Sequence, residues 1–272
     1  MQQGKLDKDL IPQPELWRMA MLISPQYLEV ALYPPVEGEE AIFRSFTLDP
    51  DAASPLKALE DTIYDNPLLL SDFKSIDGFI DTDSFILVPD SVPEADHEPL
   101  LEAGAQIPNH SWRPIATEAS PGVTLLMAAD EELCRFLTRT FFNIRLRHPL
   151  ATLTALAARN ASGVRSYAVM QRKRMSLISL NNMKLLSANT FTYSEPIDAV
   201  YYILASRFIS GIDESEHTLY YCGNPEATDP VMPIVRSYTA RLLPPDTPPL
   251  PYRASRQSLE AHYLLTMLPL CE

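Results

Sequence analysis

The stretch 166–193, SYAVMQRKRMSLISLNNMKLLSANTFTY, reads as three short strands joined by tight turns: Ser166–Met170, Met175–Leu180 and Lys184–Tyr193. The same pattern stands earlier in the chain. Trp17–Ile23, Tyr27–Tyr33 and Glu39–Phe46 are strand-like, with turns at Ser24-Pro25-Gln26 and at Pro34-Pro35-Val36-Glu37-Gly38. The middle strand alternates, with Tyr27, Glu29, Ala31 and Tyr33 on one face and Leu28, Val30 and Leu32 on the other, the pattern of a half-buried strand. After each triplet come a helical stretch and an apolar strand, Phe85–Val88 in the first copy and Leu219–Cys222 in the second. A duplicated meander of this kind predicts an α/β fold with mixed sheets in two lobes, 15–161 and 162–272, divided where Ser162-Gly163 breaks the chain.

Outward from the repeats, Ser54-Pro55 ahead of Leu56, Leu59 and Ile63 predicts a helix with serine at its N-cap and proline at its first position. It should end before Asn66-Pro67. Within 104–129, Trp112–Thr117 and Val123–Met127 flank Ser120-Pro121-Gly122 and predict a hairpin inserted in the first lobe. A helix over Asp130–Phe142, a strand over Ile144–Arg147 and an alanine-rich helix from Pro149 to about Ala161 complete that lobe. The second lobe runs into Pro244-Pro245-Asp246-Thr247-Pro248-Pro249-Leu250-Pro251, which must be extended and reads as a rigid bridge to a last helix, Ser255 to Met267.

At 272 residues and 46% hydrophobic content the chain can bury two ordinary cores. No apolar run reaches the roughly 18–20 residues that a membrane span needs. The first residues, with acids at Asp7 and Asp9, do not form a signal-peptide core, so the expected location is cytoplasmic. Cys134, Cys222 and Cys271 are too few and scattered for a disulfide framework or a zinc site and read as reduced, semi-buried thiols.

A formal charge of −13 argues against general nucleic-acid binding. Its distribution is uneven. Residues 49–102 hold fourteen acids against Lys57 and Lys74, whereas 133–194 hold ten lysines and arginines and no acid. Either these segments neutralise each other in the fold, or the basic one is a surface for an anionic partner or nucleic acid.

Three local signatures carry a resemblance to a known fold family. Phe85-Ile86-Leu87-Val88-Pro89 resembles the proline-ended buried strand of the actin-like chaperone ATPases. Ile144-Arg145-Leu146-Arg147-His148-Pro149-Leu150-Ala151 resembles their E-P-x-A-A strand-to-helix passage, with His148 at the glutamate position. Leu219 to Val235, through Cys222-Gly223-Asn224 and Pro233-Ile234-Val235, resembles their adenosine loop. With the repeated meander, these cover nearly the whole chain in order. The chain resembles an uncharacterised bacterial family of degenerate actin-like, ribonuclease-H-like proteins with no assigned activity.

The resemblance also says what is missing. Active members carry D-x-G in the first hairpin turn of each lobe, where carboxylates hold magnesium and glycine lets backbone N–H groups approach phosphate. Here the two turns are Ser24-Pro25-Gln26 and Gln171-Arg172-Lys173-Arg174, with neither carboxylate nor glycine, and Pro25 even removes a donor. With eight glycines in the chain there is no Walker A pattern either. Phosphoryl transfer depends on charge stabilisation at the phosphates. The sequence therefore predicts no ATP hydrolysis, no catalytic residues, no bound metal and no cofactor.

The remaining candidates are weaker. Asp77-Gly78-Phe79-Ile80-Asp81-Thr82-Asp83 lacks calcium-loop spacing and reads as an acidic turn. His148 reads as a neutral, hydrogen-bonded structural residue, and His97, His110, His217 and His262 have no metal-ligand spacing. The expectation is a pseudo-ATPase scaffold that binds a protein partner. Two other readings stay open: nucleotide binding without hydrolysis at Gly223 and Asn224, and anion or partner contact at Arg172, Lys173 and Arg174.

Overall fold

The computed structural model describes residues 5–107, 109–159, 162–245 and 249–270. In the first sheet, β1 (Arg18–Ile23), β2 (Tyr27–Tyr33) and β3 (Ile42–Thr47) form the expected antiparallel meander. The chain then passes through helix α1 (Pro55–Tyr64) to β4 (Ser75–Ile80), which lies parallel to β1 with Ile23 level with Ile80. Ser54 caps α1 through its hydroxyl, which accepts from the Lys57 N–H at 3.1 Å.

Three expectations fail here. The strand that joins the meander's sheet is β4, and Phe85–Pro89, labelled β5, lies in another sheet. The supposed acidic turn at Asp77-Gly78 is thus the middle of β4, where five of six residues are buried. Gly78 has a packing reason, since a Cβ there would stand 2.9 Å from side-chain carbons of Ile144 and Leu146. Strand β2 is buried over its whole length on both faces, not half-buried.

A separate three-stranded antiparallel sheet follows. Helix α2 (His97–Gly104) packs near β5, and the hairpin of β6 (Trp112–Ser120) and β7 (Val123–Asp130) adds β7 to β5. Its core joins Val88, Leu101 and Leu126. Helix α3 (Glu131–Thr140), capped by the Asp130 carboxylate at 2.7 Å from the Leu133 N–H, leads to β8 (Ile144–Arg147). That strand runs parallel to β4 and completes the sheet order β3-β2-β1-β4-β8. Helix α4 (Pro149–Ala158) comes next.

The second sheet repeats the first. Strands β9 (Val164–Gln171), β10 (Arg174–Asn181) and β11 (Lys184–Thr192) form the meander, with a bulge at Ser179/Leu180. Helix α5 (Pro196–Ile209) carries the chain to β12 (His217–Gly223), parallel to β9. Two short helices, α6 (Pro225–Thr228) and α7 (Met232–Val235), precede β13 (Leu242–Leu243), giving β11-β10-β9-β12-β13. The two five-stranded orders correspond strand for strand. Ala199, Val200 and Ile203 of α5 close a core with Ala168, Met170, Leu177, Leu219 and Val235.

After the proline run, of which 246–248 lie outside the described residues, Pro251 and Arg253 pair with the chain before β3. Gly38 and Ala41 donate to their carbonyls at 2.8 and 2.9 Å, and Tyr252 packs against Tyr33 and Phe43. The expected last helix is two, α8 (Arg256–Ala261) and α9 (Tyr263–Met267), separated at His262, whose φ of −123° and ψ of 46° leave the helical region. The chain forms two compact units. One holds the chain through Thr117 with Gly122–Pro149 and Pro251–Ala254; the other holds Glu118–Pro121, Leu150–Leu250 and the chain from Ser255.

Candidate functional site

In the first unit the turn between β1 and β2 is closed by its own backbone. Ser24 donates its N–H to the Tyr27 carbonyl at 3.0 Å, and the Gln26 carbonyl accepts from Leu48 at 2.9 Å. Ser24 is buried, while Pro25 and Gln26 are exposed. The parallel register of β1 and β4 brings Asp81 beside this turn. Its N–H donates to the Ile23 carbonyl at 2.9 Å, and its carboxylate lies 3.5 Å from the Tyr27 hydroxyl. Sequence reasoning set Asp81 aside with the supposed turn at 77–83; the signal that places it is the pairing of β1 with β4.

The histidine at the glutamate position is wholly buried. His148 Nε2 stands 2.9 Å from the Thr82 carbonyl, and its ring lies 4.6 Å from that of Phe85. That is the hydrogen-bonded, structural environment expected of it. Asp77, a second acid of the same strand region, is occupied by arginines of β8. Arg145 donates to Asp77 Oδ2 at 2.8 Å, and Arg147 Nη2 lies 3.9 Å from Oδ1. This acid comes from the acid-rich segment and its partners from the acid-free one, so at this point the two segments do neutralise each other.

In the second unit the β9–β10 connection is a two-residue turn with Arg172 at φ 54°. The Tyr193 hydroxyl donates to the Arg172 carbonyl at 3.0 Å. Lys173 Nζ donates to the Ser194 carbonyl at 2.5 Å and lies 5.9 Å from the centre of the Tyr193 ring. Arg174 opens β10 opposite Gln171. The structure thus gathers Arg172, Lys173 and Arg174 at one hairpin tip, with the first two tied to Tyr193 and Ser194.

Gly223 ends β12 with φ at +113°, and a Cβ there would come within 1.9 Å of the Met170 carbonyl oxygen. Only glycine allows this approach. The same carbonyl accepts from the Asn224 N–H at 2.9 Å, while Asn224 Oδ1 accepts from Glu226 at 3.0 Å and caps α6. Both residues therefore have a packing role beside the β9–β10 turn.

Sequence reasoning passed over a buried polar chain beneath β12. His217 Nε2 stands 2.9 Å from Ser166 Oγ, which is 2.8 Å from Ser179 Oγ. Burial, with the nearby Arg207 adding to it, lowers the His217 pKa to about 4. Burial likewise pushes the Cys222 thiol up to about 12, and it raises that of Cys134, so neither is a ready nucleophile. Cys271 lies outside the described residues. Among the described residues no group of three His, Cys, Asp or Glu side chains is placed to hold a metal ion, and no helix is long and apolar enough to cross a membrane.

The chain belongs to the family described as "Protein of unknown function (DUF3822)", whose profile matches residues 10–242. No curated protein matches it. Among solved structures it is similar to a protein of unknown function with actin-like ATPase fold from Bacteroides thetaiotaomicron VPI-5482. The TM-score is 0.80 at 15% identity, covering 96% of this chain and 98% of that one. It is also similar to the PilM-PilN type IV pilus biogenesis complex, with a TM-score of 0.60 at 15% identity over 96% of this chain and 100% of that one. The fold is that of the actin-like ATPases.

Proposed function

We propose that this chain is a non-catalytic actin-like protein that works by binding a protein partner. The observation that carries this reading is the chemistry of the two hairpin turns. Neither Ser24-Pro25-Gln26 nor Arg172-Lys173 offers a carboxylate for magnesium, and neither has a glycine for phosphate approach. Several of their polar groups are also engaged in hydrogen bonds. The first is closed between Ser24 and Tyr27, and the second is tied to Tyr193 and Ser194. The PilM neighbour of the same fold occurs in a complex with PilN, which supports a partner-binding role.

Capture of partners from the native host with the full chain as bait, read by mass spectrometry, tests this reading. One protein should be enriched reproducibly over an unrelated acidic bait, and enrichment of none would contradict it. Nucleotide binding at Gly223 and Asn224 without hydrolysis is separated by thermal-shift titration. A ligand bound only by the folded chain must raise the melting temperature, and the proposal predicts no rise with ATP or ADP, with or without magnesium.

A further inference from the structure

Helix α5 turns Ala199, Val200 and Ile203 into the core of the second sheet and a row of large apolar side chains to solvent. Ile197 is 56% exposed, Tyr201 66%, Phe208 85% and Ile209 82%; Tyr238, whose carbonyl accepts from Arg207 at 3.2 Å, is 51% exposed beside the same helix end. The positions 197, 201 and 208 recur at helical spacing, so they form one stripe along the outer face, while Leu204 packs partly against the core of the sheet. Residues 197, 201, 204, 205, 208 and 209 include no charged side chain. Taking about 200 Å² for each large side chain when fully exposed, the five present about 700 Å² of surface. That exceeds the roughly 300–600 Å² of the largest apolar patch on an ordinary monomer.

We propose that this face is a self-association surface, on which a second copy of the chain docks α5 against α5 in antiparallel orientation about a two-fold axis. Three observations select a second copy as the occupant. Two such faces, if covered completely, would remove up to about 1,400 Å², inside the roughly 1,200–2,000 Å² of specific interfaces. The stripe is self-complementary: Ile197 and Phe208 lie equally far from its midpoint, with Tyr201 near that midpoint. Antiparallel pairing therefore sets the shorter Ile197 against the longer Phe208 at both ends, as an isologous contact requires. Finally, chains that each carry −13 repel, and an uncharged face is where two copies can meet at least cost. The inference is independent of the partner reading above, since self-association and host-protein capture are read in different experiments.

Sedimentation velocity of the full chain across the micromolar range tests it. The expected result is a monomer–dimer equilibrium that strengthens with added salt, as screening reduces the net repulsion. Phe208→Glu and Tyr201→Glu, each checked for an unchanged thermal melt, should weaken dimerisation by about 100-fold. Phe142→Glu, at a residue 83% exposed but outside α5, should leave it unchanged. The register is tested separately in a Cys271→Ser background by mixing Ile197→Cys and Phe208→Cys chains under mild oxidation. The mixed disulfide should form faster than either homodisulfide. A wild-type chain that stays monomeric at the highest concentration overturns the proposal. So does a dimer indifferent to Phe208→Glu, or homodisulfides that form as readily as the mixed one.

Discussion

Gly223 is the residue that most resembles a nucleotide-loop glycine, and its surroundings explain it without a nucleotide. Gly223→Ala must displace the Met170 carbonyl and hold φ at +113°, so it should cost about 2–4 kcal/mol in urea unfolding. Gly38→Ala, at φ +81° with open space around it, should cost only about 1 kcal/mol. Equal costs at the two sites would contradict the close approach. Asp77→Asn leaves Arg145 and Arg147 without their shared acid; because both arginines reach solvent, it should cost only about 1–2 kcal/mol. For His217 the sign follows from a folded-state pKa near 4 against an ordinary 6.5. The unfolded chain takes up the proton first, so the stability held above pH 6.5 falls as the pH drops towards 4. Urea midpoints across that window should fall for the wild type and change less for His217→Gln. Parallel curves would show that His217 is not the group responsible.

Helix α1 and the two meanders were legible in the sequence because each is specified locally. Ser54-Pro55 is a helix start on its own terms, and Ser54→Ala should cost about 1 kcal/mol in thermal or urea unfolding. The strands of both meanders are neighbours in sequence, so short turns disclose their pairing. Strand β4 was not legible. Its Asp77-Gly78 reads as a turn until β8 supplies Arg145 for the acid and Ile144 and Leu146 for the space above the glycine, far along the chain. Part of the cover over β2 comes from Tyr252, far along the chain, packed against Tyr33. The break at His262 left no glycine or proline to mark it. The β9–β10 tip was found as a cation cluster, but its ties to Tyr193 and Ser194 show only in three dimensions. If the tip serves only as a turn, Arg172→Ala with Lys173→Ala will leave stability, sulfate binding and partner recovery unchanged. Loss of partner recovery with stability intact would instead make it a contact surface.

At the scale of the whole molecule, two corresponding five-stranded sheets keep the actin-like architecture, while the turns that would carry its chemistry have neither carboxylate nor glycine. The repeat was visible in the sequence because it is written twice, and the missing carboxylates were visible because the turns are short. The proposed absence of catalysis is tested by ATP turnover of the purified full chain with magnesium. Phosphate release should be no greater than that of a heat-denatured control. Turnover that saturates with ATP and co-elutes with the folded protein through repurification would contradict it.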